Sequence, residues 1–195
     1  MRLVLLGAGA MRSPRFAPAG VLVVSGEHRV AIDGGATWPG TLDAWLLTDD
    51  RAELGPAIRR VGRAHRIAAA VGSFHAGALL IEPRPVEHTS HDAFGYRIRE
   101  ERRVAVWAPE FWRFPEWAAG ADLMFAEAAG WDRPIRFAGG VGGHACALEV
   151  SREAQRRGVK RLVFAHIGRP TIRAMDRREP IPFGEFGRDG QMFRL

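Results

Sequence analysis

Short apolar segments bounded by glycine or proline run along most of this chain and constrain its fold more than any other feature. Residues 3–6 end at Gly7, and residues 21–24 and 30–32 flank the turn 25–28. Runs of this length are typical of strands, and the turn between the last two predicts a hairpin. Residues 44–47 predict another buried strand. The N-terminal part is therefore expected to form a sheet.

Helical periodicity occurs in only two places. Residues 51–65 place Leu54, Ile58 and Val61 on one face. Residues 146–158 form a second amphipathic segment, which we expect Gly158 to end. A buried strand at residues 160–165 follows. Further strands are predicted within 66–98, at 104–107, at 123–125 and at 191–195. Within 66–98 we expect turns at Pro83, Pro85 and Gly95. A short helix is predicted at 114–119. This order predicts a layered α/β sandwich.

The size and composition fit one globular unit. The chain has 195 residues, 47% of them hydrophobic, and one cysteine, Cys146. We therefore predict a single domain spanning 1–195, without a disulfide framework. No apolar run approaches the ~20 residues that a membrane-spanning helix needs. We interpret the first residues as a strand and not as a leader, and we expect a cytoplasmic protein.

The basic residues are almost all arginine. The formal net charge is +6, and Lys160 is the only lysine among 28 basic residues. A coding bias towards arginine explains this composition. The alternative is a surface for phosphate or nucleic acid, because arginine binds phosphate in a bidentate manner. The sequence contains no uninterrupted basic run that would favour a phosphate- or nucleic-acid-binding surface.

Aromatic residues concentrate after the predicted strand at 104–107. Trp107, Phe111, Trp112, Phe114 and Trp117 lie within a short stretch. They are interpreted in three ways: as core packing, as the interface of a homodimer, or as a rim on which a base or hydrophobic ligand stacks.

Seven histidines are present, and none forms an i, i+4 pair on a predicted helix. His88 and His166 follow or end strand-like runs, and His144 comes after the double glycines 139–140 and 142–143. Side chains at strand ends can converge on one rim of a sandwich. The Gly7-Ala8-Gly9 turn also suggests a dinucleotide-binding loop, but Pro14 and Pro18 argue against the helix that such a loop requires.

The order of these segments resembles a known family, the metallo-β-lactamase-fold hydrolases, in the branch of ribonuclease Z and the phosphonate-pathway cyclic phosphodiesterases. The matching pieces run from the N-terminus to the C-terminus and cover most of the chain. They are LVLLGAGAMRSPRFAPAGVLV, VAIDGGA with Asp33, VEHTSHDAFGYRIREERRVAVWAPE, GADLMFAEAAG, GGHACALEVSREAQRRGVKRLVFAHIG and DGQMFRL. The resemblance implies a four-layer αββα sandwich in a minimal form.

One motif of the family is altered. Where its members have T-H-x-H-x-D-H, this chain has Thr48-Asp49-Asp50-Arg51-Ala52-Glu53-Leu54. Arginine has no lone pair to donate and leucine cannot bind a metal, so the usual two-zinc site cannot form. His88 and His166 match ligand positions unchanged, and Glu110 stands at the position of the bridging aspartate. The resemblance thus implies metal ligands at Asp49, Glu53, His88, Glu110 and His166.

That ligand set is rich in oxygen and suits one divalent metal, Mn or Mg more than Zn. The alternative is a metal-free site in which Arg51 pairs with Asp49, Glu53 or Glu110. In the first case we expect a hydrolase acting on a phosphodiester or similar anionic substrate. Arg51 would stabilise negative charge, and His91 or His144 would donate a proton. In the second case we expect a pseudoenzyme that binds a ligand, an RNA or a partner.

Overall fold

Two β-sheets and three helices form the architecture in the computed structural model, which describes residues 1–35, 37–139 and 142–195. The first sheet has the order β15-β1-β2-β3-β4-β5. Its strands are β1 (Arg2–Gly7), β2 (Gly20–Ser25), β3 (His28–Asp33), β4 (Ala44–Leu46), β5 (Ala69–Ala70) and β15 (Met192–Arg194).

The second sheet has the order β14-β13-β10-β9-β8-β7-β6. Its strands are β6 (Phe74–Ala76), β7 (Leu79–Val86), β8 (Ala93–Glu100), β9 (Arg103–Ala108), β10 (Leu123–Ala128), β13 (Leu162–Ile167) and β14 (Glu185–Phe186). A separate two-stranded ribbon pairs β11 (Ile135–Arg136) with β12 (Gly143–His144). In the second sheet β9, β10 and β13 run parallel, so their carboxyl ends meet at one edge.

The main core lies between the two sheets. Alternate residues of the first sheet, such as Leu3 and Leu5 on β1, are fully buried against apolar side chains of the second sheet. Trp107 and Phe125 are part of the same cluster and are fully buried. This alternation has the period of two that a strand with one core-facing side requires.

Helices cover the outer faces of the two sheets. Helix α1 (Gly55–Ala64) contacts β5, and Ile58 packs with Leu22, Ala31 and Trp45 in a second apolar cluster. Helix α2 (Ala147–Arg156) contacts β10 and β13 through buried residues that include Val150 and Ala154. The layers are thus α, β, β and α, which confirms the predicted αββα sandwich.

Three local predictions were wrong. Pro83 and Pro85 do not form turns but lie within β7. Only residues 79–81 of this strand pair with β6, so the prolines lie on an open edge. A strand tolerates proline there, because the missing backbone N–H has no partner to lose. Gly95 lies within β8, where its backbone packs closely on Trp107 and Trp117. The predicted helix at 51–65 begins only at Gly55, because Pro56 favours the first turn of a helix.

Helix α3 (Arg169–Asp176) was not predicted, although Gly168 and Pro170 are a typical start signal. The predicted strand at 104–107 is confirmed as part of β9, and the predicted helix at 146–158 as α2. The segment 114–119 holds a single 3-10 turn, Glu116–Ala118. Trp107 and Phe111 are fully buried, so these two aromatic residues belong to the core.

The glycine-rich turn after β1 does not begin a dinucleotide-binding unit, because β1 and β2 are antiparallel neighbours with no helix between them. Among the helices described for residues 1–35, 37–139 and 142–195, none is long and apolar enough to cross a membrane.

Candidate metal centre

A cavity of about 610 Å³ opens where the carboxyl ends of the second sheet meet the loop that follows β4. All eight predicted site residues line it. They are Asp49, Arg51, Glu53, His88, His91, Glu110, His144 and His166. Clefts at the carboxyl ends of parallel strands are common ligand sites, because several chain segments end there together.

Three histidines and two glutamates form one cluster at this cavity. His88 Nε2 lies 2.8 Å from one carboxylate oxygen of Glu110, and His166 Nε2 lies 3.4 Å from the other. The rings of His88 and His144 have centroids 4.8 Å apart, and those of His144 and His166 are 5.0 Å apart. The cluster is therefore continuous from His88 to His166.

Glu127 is the second glutamate of the cluster and contacts two of its histidines. It lies in β10 and is fully buried, and it accepts backbone N–H bonds from Ala129 and Phe111. One of its oxygens lies 2.7 Å from His144 Nδ1, and the other lies 3.1 Å from His166 Nδ1. A buried carboxylate needs such partners, because an unpaired charge in the interior is costly.

The ring nitrogens of His88 have a similar arrangement. Its Nδ1 lies 2.8 Å from the carbonyl oxygen of Gly143, and the Gly143 N–H donates to the His88 carbonyl at 2.8 Å. This approach requires glycine at position 142, where φ is +69° and a Cβ atom would overlap the His88 carbonyl. The glycines before His144 thus bring β12 against His88.

In all three histidines Nδ1 is already bonded to an acceptor. Nδ1 donates to Gly143 in His88 and to Glu127 in His144 and His166, which leaves Nε2 as the nitrogen with a lone pair available in the neutral ring. This is the usual arrangement behind metal-binding histidines, where an acceptor on the other nitrogen fixes the tautomer.

The charges in the cluster reinforce one another. Burial opposes the charged forms, but the glutamates outweigh it and raise the pKa of His166 to about 9. Burial also opposes the charged form of His88, but Glu110 outweighs this effect and raises the pKa of His88. The pKa of Glu110 lies well below its usual range, because His166 and His88 together outweigh its burial. Both raised pKa values favour protonated rings in His88 and His166, next to the carboxylates that they contact.

Two groups in the described chain have ligand atoms close enough to share a metal ion, His88 with Glu110 and His144, and Glu127 with His144 and His166. Of the five predicted ligands, His88, Glu110 and His166 lie in these groups. Asp49 and Glu53 lie in neither. Glu127 was missed as a site residue, although it stands in the segment GADLMFAEAAG that carried part of the resemblance.

Asp49 instead pairs with a different histidine. Its Oδ2 lies 2.8 Å from His91 Nε2, and its Oδ1 accepts the backbone N–H of Arg51 at 2.6 Å. Within the described residues the Arg51 guanidinium makes no ion pair, and its predicted pairing with Asp49, Glu53 or Glu110 does not occur. Arg51 and Glu53 are exposed at the cavity.

Asp33 supports the loop that carries Asp49. It accepts bonds from the Thr48 N–H and hydroxyl and from Trp107 Nε1, all at 2.8–3.0 Å. Burial raises the pKa of Asp33 to about 6. Asp33 and His166 have positive backbone φ angles of +53° and +56°, a conformation that few residues other than glycine adopt. Asp33 is the last residue of β3 and His166 the last but one of β13, so both lie where these strands reach the cavity.

Comparisons with known proteins identify the fold. No protein-family model and no curated protein matches the sequence. Solved structures match over almost the whole chain. The metallo-β-lactamase fold protein YhfI from Bacillus subtilis is 16% identical with a TM-score of 0.76, and the alignment covers 99% of each chain.

Two further structures are a diphosphatase from the PhnP family and Zn²⁺-bound PqqB from Methylobacterium extorquens. The diphosphatase is 18% identical with a TM-score of 0.70, covering 99% of this chain and 97% of that one. PqqB is 13% identical with a TM-score of 0.71, covering 100% of both chains. The chain therefore has the metallo-β-lactamase fold, as the resemblance predicted.

Proposed function

We propose that this protein is a hydrolase that holds one divalent metal ion with His88, His144, His166 and Glu110 and acts on an anionic ester. One observation carries this proposal: Nδ1 of all three histidines is bonded to Gly143 or Glu127, so that each ring keeps Nε2 for a metal. Glu110, which contacts Nε2 of His88 and of His166, supplies the carboxylate.

The donor chemistry favours zinc. The resemblance implied three carboxylates and two histidines, which suit Mn or Mg. Two groups that share His144 occur in the structure, His88 with Glu110 and His166 with Glu127, and Asp49 and Glu53 lie in neither. Together they contain three imidazoles, and Glu110 is their one carboxylate that lines the cavity. Three histidines are a common ligand set of catalytic zinc. Mn and Mg prefer oxygen donors and are therefore the weaker candidates.

The residues of the chain have separate roles in this proposal. When bound, the metal would supply a Lewis acid and lower the pKa of a water molecule. Glu127 holds His144 and His166 in the tautomer that presents Nε2. Arg51, which has no ion-pair partner in the described chain, stabilises the negative charge of the substrate. His91, held by Asp49, donates a proton to the leaving group.

The fold comparison supports a hydrolase. A diphosphatase and a Zn²⁺-bound protein share this fold over nearly the whole chain. An ester of phosphoric acid is therefore the first substrate class to examine.

A metal-free binding module is the second candidate. It is favoured by Arg51 and Leu54, which stand where the resemblance places metal-binding histidines. The ion pairs of Glu110 with His88 and His166 also satisfy the cluster without a metal.

Calorimetric titration of the chelator-treated protein distinguishes the two candidates. We expect one Zn²⁺ per chain, with weaker binding of Mn²⁺ and Mg²⁺, and hydrolysis of bis(p-nitrophenyl) phosphate by the zinc-loaded protein alone. The double variant Glu110→Gln/His166→Ala should lose both properties, while Glu82→Gln/His75→Ala, at exposed or partly exposed positions of the same sheet, should keep them. Absence of metal binding by the folded wild type would favour the metal-free module.

A further inference from the structure

The cavity combines the polar cluster with a wall of apolar side chains. Leu47, Leu54 and Ile58 line it and belong to the apolar cluster between α1 and the first sheet. Leu54 directly precedes α1 with a helical backbone conformation, and Ile58 follows it by four residues, so the two side chains lie on the same side at the start of the helix. The cavity thus extends from the histidines to the apolar layer beneath α1.

An aromatic ring lies directly against the histidine cluster. Phe137 packs edge-on against His88, with centroids 5.3 Å apart, and against His144, with centroids 5.2 Å apart. It is half-buried and lines the cavity. A group that approaches the cluster therefore meets an apolar ring beside the nitrogens.

Two exposed apolar side chains line the same cavity. Within residues 1–35, 37–139 and 142–195, three large hydrophobic side chains are exposed: Met11 at 39%, Ile135 at 38% and Met192 at 50%. Met11 and Ile135 line the cavity, and Met192 does not. Single exposed apolar residues are ordinary, but two at one cleft that is already lined by leucine, isoleucine and phenylalanine mark a binding surface.

Positive charge is available at the same place. Arg51 and Arg169 are exposed, line the cavity and make no ion pair within the described residues. Arg169 is the first residue of α3, directly after the turn that follows His166. A ligand that satisfies this lining has both an anionic group and an apolar group.

We propose that the cavity binds a small organic phosphate with an alkyl or aryl group, the anion towards the arginines and histidines and the apolar group against Leu54, Ile58, Ile135 and Met11. This inference rests on the proposed function only in that the bound phosphate ester would be hydrolysed there. The preference for ligands with an apolar group does not require a metal. The volume of about 610 Å³ lies in the range of roughly 300–1,000 Å³ that is usual for small organic ligands.

The test is calorimetric binding of ethyl, butyl and hexyl phosphate to the chelator-treated protein and to the zinc-loaded protein. Each buried methylene favours binding by ~0.8 kcal/mol, which corresponds to about a fourfold change in affinity. We expect binding to tighten about twofold to fourfold for each added methylene. Equal affinities for the three compounds, or no binding of any of them, would overturn the proposal.

Variants locate the apolar contact. The double variant Met11→Ser/Ile135→Ser should flatten the dependence on chain length, and it should fold because both positions are exposed. Met192→Ser, outside the cavity, is the matched control and should leave the dependence unchanged. An unchanged dependence in the double variant would also overturn the proposal.

The metal-dependent hydrolase and the apolar binding preference are tested independently of each other. Zinc binding and hydrolysis without a dependence on chain length would leave the metal centre standing and remove this inference. A dependence on chain length in a protein that binds no metal would keep this inference and remove the hydrolase.

Discussion

The buried carboxylate of Glu127 lies 2.7 Å from His144 Nδ1, which ties a residue of the central strand β10 to a residue of the glycine-rich ribbon. Its other oxygen reaches His166 at 3.1 Å. One side chain thus orients two of the three proposed metal-binding histidines.

Glu127→Gln should weaken zinc binding about 10-fold to 100-fold, the usual cost of losing a carboxylate behind a metal-binding histidine. The amide can accept from one imidazole, but it cannot offer a charged oxygen to both. Competition with a chromophoric chelator measures the affinity. Glu185→Gln, which changes only a surface ion pair with Arg161, is the control. Equal affinity in Glu127→Gln and wild type would contradict the role of Glu127.

Zinc should raise the melting temperature of the wild type by about 5–10 °C at a free concentration 100 times Kd. Binding to the native state alone adds ~2.7 kcal/mol at that concentration, and 1 kcal/mol shifts a chain of this size by about 2–4 °C. His144→Ala should lose most of this shift. His91→Ala, which lines the same cavity outside the cluster, should keep it. A loss in His91→Ala and not in His144→Ala would reverse the assignment.

Gly142→Ala should abolish zinc binding and destabilise the protein by more than about 2 kcal/mol, because the new Cβ would overlap the His88 carbonyl. Gly139→Ala is a close control: φ is also positive there, at +87°, but no atom lies within 4 Å of the added Cβ. The control should show only the cost of the backbone conformation. Urea unfolding and zinc titration of both variants measure the difference, and equal behaviour would show that the contact with His88 is unimportant.

Asp33 should make stability fall as pH rises from about 4 to about 6. Burial raises its pKa to about 6 in the folded protein, above the ordinary value of 3.8, so the native state binds the proton more tightly. Its contribution is present below pH 4, is lost through pH 6 and is constant above. The shift corresponds to about 3 kcal/mol at most.

Urea unfolding between pH 4 and 7.5 tests this dependence through the difference between wild type and Asp33→Asn. The difference should change in this interval and then level off. Asp132→Asn, at an exposed position, should follow the wild type throughout. A constant difference between wild type and Asp33→Asn would show that Asp33 is ionised at every pH tested.

Arg51→Gln should weaken the binding of inorganic phosphate about fivefold, equivalent to ~1 kcal/mol for an exposed charged contact. Arg60→Gln, on the exposed part of α1, should not. Calorimetry at low ionic strength gives both values. Equal losses in the two variants would indicate a general effect of net charge.

The sequence predicted most strands well, because short apolar runs bounded by glycine or proline indicate buried strands directly, and the resemblance implied the four layers. Residues 21–24 and 30–32 lie in the hairpin of β2 and β3 as expected. The prolines of β7 misled the prediction, since only the register with β6 shows that they lie on an open edge. Long-range pairing of this kind leaves no local signal.

The site was predictable in part. The resemblance to the metallo-β-lactamase-fold hydrolases implied His88, Glu110 and His166 as site residues, and these three follow or end strands of the second sheet. The contact of Asp49 with His91 joins residues 42 positions apart. That of Glu127 with His144 depends on the ribbon that the glycines permit. Neither contact can be inferred from spacing in the sequence.

The two sheets contribute unequally to the cavity. The three histidines and two glutamates of the cluster come from strands of the second sheet, the loops that follow them and the ribbon, whereas Asp49, Arg51 and Leu54 follow β4 of the first sheet. The segment 48–54 can therefore diversify in evolution, or be exchanged by design, without removing a member of the cluster. In this protein the proposed metal ligands and the segment that contributes Asp49, Arg51 and Leu54 to the cavity are thus inherited on separate pieces of chain.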